Sequence, residues 1–155
     1  MDNNIKLMGN QKEVELLLVE DSAHDAELTM RALKDKSRIL NKVTWMKDGE
    51  EALDYIFGKG KYSGNNGITS PKVILCDLKM PKVSGIEVLE KLKGDPKTKN
   101  IPVVMLTSSN QDIDIDRCYE LGANSYIVKP VGFENFMKAV KDIGLYWLLL
   151  NELPY

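Results

Sequence analysis

At 155 residues, 43% hydrophobic and 28% charged, the chain has the size and composition of one packed domain, not of a disordered or membrane-spanning protein. A formal net charge of -2 leaves no basic field to hold a phosphate backbone or an anionic bilayer, so neither nucleic acid nor membrane is expected as a direct partner. The opening MDNNIKLMGN lacks the apolar run of a secretory signal, and Cys76 and Cys118 sit where small hydrophobes belong, which predicts free thiols and a cytoplasmic protein.

A flexible arm is expected over 1–12 and a single domain over 13–155. In chain order, LLLV (16–19) predicts a first strand, and Ala26, Met30 and Leu33 mark the inner face of a helix after it. VTWM (43–46) alternates and suits an edge or near-edge strand. Asp48 opens a helix carrying Ala52, Ile56 and Phe57. The stretch 58–71, GKGKYSGNNGITSP, reads as a long connecting loop; it follows a helix and has neither Walker nor GxGxxG spacing. VILC (73–76) is the third strand, and Ser84 or Gly85 starts a helix bearing Ile86, Leu89 and Leu92. VVML (103–106), a helix with Ile115, Cys118 and Tyr119, and YIV (126–128) follow. A last helix carries Phe133, Phe136, Met137 and Val140 and runs into GLYWLLLNELPY, after which no output domain is expected.

Apart from VTWM the strands are apolar at consecutive positions, which predicts burial on both faces. Strand and helix alternate five times, the pattern of an α/β doubly wound parallel sheet with helices on both faces.

In such a sheet, ligands gather beyond the carboxyl ends of the strands. The residues there are Glu20 and Asp21, Asp77, Thr107 and Ser108, and Lys129 followed by Pro130. Each alone has a structural use: Asp21 and Ser22 can cap a helix, Asp77 can close a turn, Thr107 or Ser108 can open a helix, and Lys129 can be a solvated lysine. Three carboxylates at one edge repel each other unless a cation is bound, and Mg²⁺ suits such oxygen donors while keeping waters that a phosphate can replace. His24 has no partner at metal-ligand spacing and is expected on the surface.

VEDS (19–22), DLKMPKVSG (77–85), VVMLTS (103–108) and GANSYIVKP (122–130) together resemble the receiver domains of two-component response regulators. The resemblance covers nearly all of 13–155 and implies a flavodoxin-like five-stranded sheet in the order 2-1-3-4-5. It implies that Asp77 accepts a phosphoryl group from a sensor histidine kinase, with Mg²⁺ on Asp21, Asp77 and the backbone carbonyl of Lys79, and Glu20 binding it through water or holding a ligand in place. It further implies that Thr107, Ser108 and Lys129 contact the phosphoryl group, that Tyr126 changes rotamer with Thr107, and that the bond before Pro130 is cis. The loop 58–71 and the aromatic C-terminus look like regulators that partner phytochrome-type kinases. Tyr146, Trp147 and Leu148 would close the core or form a homodimer or partner surface.

The expected output is a phosphorylation-dependent face for a downstream protein, in a signalling protein rather than an enzyme. The alternatives are a phosphorylation-independent binding module and a Mg²⁺-dependent phosphohydrolase, for which no separate acid or base is evident; position 79 holds lysine where haloacid dehalogenase-type hydrolases keep a second aspartate.

Overall fold

The computed structural model describes residues 16–34, 43–64, 67–108 and 111–129, together with helical positions 134, 135, 138, 139 and 142. The arm 1–12, the apolar residues expected on the last helix, the aromatic C-terminus and Pro130 lie outside the described residues.

Five parallel strands form one sheet in the order β2-β1-β3-β4-β5. They are β1 (Leu16–Val19), β2 (Val43–Met46), β3 (Val73–Cys76), β4 (Val103–Thr107) and β5 (Ser125–Val128). Helices α1 (Ala23–Lys34), α2 (Gly49–Phe57), α3 (Gly85–Gly94) and α4 (Asp112–Glu120) connect them, and a 3₁₀ turn (Gly60–Tyr62) follows α2. The doubly wound order expected from the sequence is the one observed.

Alternate residues of the central strands enter two separate cores. Leu17, Val19, Ile74, Cys76, Val103 and Met105 pack with Ala52 and Ile56 of α2, Leu89 and Leu92 of α3, and Cys118 of α4. Leu16, Leu18, Val73, Leu75, Val104 and Leu106 pack on the other face with Ala26, Ala32 and Leu33 of α1. This is why β1, β3 and residues 103–106 of β4 are apolar at every position: neither face meets water. Cys76 and Cys118 are free and buried.

β5 departs from the expectation of full burial. Its four residues are half-buried or exposed, because it pairs only with β4 and stands at the sheet edge. β2, the opposite edge, is also only partly covered. Asp48 caps α2 by accepting from the Glu51 N–H at 2.7 Å, and Ser84 caps α3 by accepting from Glu87 N–H at 3.2 Å.

The 58–71 segment is more than a connector. Tyr62, in its 3₁₀ turn, donates its hydroxyl to Glu51 Oε1 at 3.0 Å and meets Tyr55 edge-on, while Lys61 pairs with the same carboxylate at 2.9 Å. Glycine and polar composition hid this docking onto α2. Among the described residues, no helix is long and apolar enough to cross a membrane.

Candidate functional site

The candidate site hangs from the last rungs of the sheet. Past the carboxyl end of β1, the Glu20 N–H donates to Met46 O at 3.1 Å; past β3, Asp77 N–H donates to Val19 O at 2.9 Å. Past β5, Lys129 N–H donates to Thr107 O at 2.7 Å. Parallel pairing thus delivers residues from three strands to one edge with their backbones already fixed.

Carboxylate oxygens of Glu20, Asp21 and Asp77 lie within 4.8 Å of one another. Glu20 is 2% exposed, Asp77 is half-buried and Asp21 is open to solvent. Burial, and then the neighbouring Asp77 charge, raise the Glu20 carboxyl to about 7, although Lys129 and the Ser22 N–H pull it the other way. Asp77 Oδ1 accepts from the Leu78 N–H at 2.8 Å, which fixes the carboxylate plane against its own loop.

Lys129 supplies the counter-charge. Its ammonium donates to Glu20 Oε2 and to Asp25 Oδ2, both at 3.0 Å, and stands 3.9 Å from Asp77 Oδ2. Burial opposes its charge, but the Asp25 and Glu20 contacts outweigh that and raise its pKa above the ordinary lysine value. Three carboxylates, those of Glu20, Asp25 and Asp77, therefore face one ammonium, and Asp21 adds a fourth acid to the cluster. The excess negative charge, the hard oxygen donors and a buried Glu20 that resists ionisation fit a divalent cation, held by Glu20, Asp21 and Asp77.

Thr107 is the final residue of β4, 1% exposed, and Ser108 follows it into solvent. Tyr126 is half-buried beside Met105, its register partner on β4, and packs on the core shared by α2, α3 and α4. Lys79 is exposed two residues past Asp77 and lines a hollow of about 460 Å³ with Leu78, Met80, Ser84, Ile86 and Asp114. His24 is exposed on α1, as expected.

Three functional neighbours were not foreseen as such. Asp25 reaches Lys129 from the first turn of α1, where an acid is ordinarily explained by the helix terminus. Trp45 donates its indole N–H to the Glu20 carbonyl oxygen at 2.8 Å. Gly85 lies so close under the site that a Cβ there would overlap the Asp77 carbonyl oxygen. Of these, only the glycine left a trace in the sequence, as the last residue of DLKMPKVSG.

Residues 16–141 match the response regulator receiver domain family. Response regulator Rcp1 of Synechocystis is 37% identical over 139 residues, which span 90% of this chain and 92% of that protein, and its Mn²⁺-bound structure superimposes with a TM-score of 0.82. The phosphorylated cyanobacterial phytochrome response regulator RcpA has a TM-score of 0.83 at 37% identity, covering 92% of this chain and 99% of that one. The bacteriophytochrome response regulator AtBRR is 51% identical, with a TM-score of 0.67 over 88% of this chain and 96% of that one. With the family match over most of its length and the same strand order, this chain belongs to the response regulator receiver domains.

Proposed function

We propose that Asp77 is the phosphoacceptor and that this chain is a cytoplasmic switch phosphorylated by a sensor histidine kinase. The observation that carries the reading is the meeting of Glu20, Asp21, Asp77 and Lys129 at one sheet edge, with Asp77 partly open to a donor. An Asp77 oxygen attacks phosphorus: an O–P bond forms, the P–N bond of the kinase phosphohistidine breaks, and its electron pair leaves on the imidazole nitrogen. Positioning and charge carry this reaction. Mg²⁺, held by Glu20, Asp21, Asp77 and the main-chain carbonyl of Lys79, would neutralise charge on the transferring oxygens.

Lys129 pairs with the new phosphoryl group, and the Thr107 hydroxyl, with Ser108 beside it, turns toward it. Tyr126 follows Thr107 and alters the surface around β5, where a downstream protein or a second copy of the chain binds. The names of Rcp1, RcpA and AtBRR support a divalent metal, phosphorylation and a phytochrome-type kinase as the donor. In the test, the chain is incubated with Mg²⁺ and acetyl phosphate and read by intact mass and peptide mapping. One phosphoryl group on the Asp77 peptide, absent in Asp77→Asn, is expected. No adduct would leave a plain binding module, and rapid multiple turnover would indicate a phosphohydrolase.

A further inference from the structure

Asp25 is the third residue of α1, whose N-cap Ser22 accepts the Asp25 N–H at 3.2 Å. An acid here ordinarily returns to the N-cap N–H or faces the positive end of the helix. The Ser22 N–H is already taken by Glu20 Oε1 at 3.1 Å, and the Asp25 carboxylate turns instead to Lys129, 104 residues along the chain. The ammonium divides itself between Asp25 and Glu20 at 3.0 Å each, while Asp77 lies beyond hydrogen-bond distance at 3.9 Å.

We propose that Asp25 is a positioning residue that parks the Lys129 ammonium away from Asp77 and gives it up when a phosphoryl group arrives, so that it slows phosphorylation. The inference rests on Asp77 being the phosphoacceptor. Two effects act in the same direction. Lys129 must leave one charged partner before it can meet the phosphoryl oxygens, and the Asp25 charge repels an anionic donor from the mouth of the site. The Asp25 side chain is 37% exposed, so solvent screens it and the effect is moderate.

The test uses the full chain with Mg²⁺ and acetyl phosphate. Asp25→Asn is expected to speed adduct formation roughly two- to fivefold, the scale of a half-exposed ion pair; Asp25→Glu should return it toward the original rate. In a Lys129→Met background, Asp25→Asn should lose most of that acceleration. In the metal-free protein, the ¹H–¹⁵N signal of the Lys129 ammonium should be protected from exchange and lose that protection in Asp25→Asn. An unchanged or slower rate in folded Asp25→Asn, or full acceleration without Lys129, overturns the proposal. Should Asp25→Asn not fold, the unaltered protein decides, because a rapidly exchanging Lys129 ammonium is incompatible with a parked one. Absence of any adduct in the unaltered chain would overturn the Asp77 reading and this inference together, whereas a normal adduct with indifferent Asp25→Asn kinetics removes only this one.

Discussion

Trp45 ties the edge strand to the acidic loop: its indole N–H donates to the main-chain carbonyl of Glu20 at 2.8 Å, although the residue is 39% exposed. The bond holds the backbone from which two of the three clustered carboxylates project. Trp45→Phe keeps an aromatic ring and deletes the donor, at a cost of about 0.5–1.5 kcal/mol. Divalent-metal affinity should fall severalfold in that variant, as read by Mg²⁺ titration. Unaltered affinity would show that the loop holds its shape without the indole.

Much of this architecture was legible because the central strands obey one simple rule. β1, β3 and the VVML run of β4 are apolar at consecutive positions, and each of those residues does enter one of two cores. β5 carries a similar signal but sits at an edge, and a pattern of three residues does not reveal how many neighbours a strand has. Glu20, Asp21 and Asp77 were readable because strand ends converge in any parallel sheet. Asp25 was not: its partner is distant in sequence, and its position in a helix's first turn already explains an acid. The Trp45 bond was hidden for a different reason, since its acceptor is a backbone carbonyl that every residue possesses.

Gly85 is required by proximity. Its N–H donates to Leu78 O at 2.8 Å, and an added Cβ would overlap the Asp77 carbonyl oxygen and press on Leu78 Cα. These obstacles are backbone, which cannot swing aside as a side chain can. Gly85→Ala should therefore destabilise the fold by about 1–3 kcal/mol and shift the Asp77 loop. Thermal unfolding gives the first quantity, and metal affinity, which should fall more than Trp45→Phe makes it fall, gives the second.

Glu20 gives the metal-free protein a pH dependence with a definite sign. Its carboxyl rises from 4.5 when unfolded to about 7 when folded, through burial first and the Asp77 charge second. Between those values the folded state binds more protons, so stability is highest below about pH 4.5 as far as this group is concerned and falls as pH rises toward 7. The loss is at most about 3 kcal/mol, at 1.36 kcal/mol per pKa unit. Glu20→Gln should flatten the profile, and saturating Mg²⁺ should reverse the loss near pH 7. Denaturant unfolding at pH 5 and pH 7, with and without metal, measures all three; a flat profile in the unaltered metal-free protein would refute the assignment.

Lys79 stands exposed beside the site, in the loop that leaves Asp77, and lines the hollow shared with Met80, Ser84 and Asp114. With Asp77 phosphorylated, a long side chain in this loop would obstruct the water that hydrolyses the aspartyl phosphate. Lys79→Ala should shorten the lifetime of the phosphorylated state by a factor of about two to five, the scale expected of one solvent-screened group. Lys79→Met then separates two causes, because it preserves length and removes charge. A lifetime close to the original in Lys79→Met assigns the effect to obstruction, and one matching Lys79→Ala assigns it to the ammonium. Decay followed by intact mass after removal of acetyl phosphate reads both, and equal lifetimes in all three proteins would leave Lys79 with no part in the chemistry.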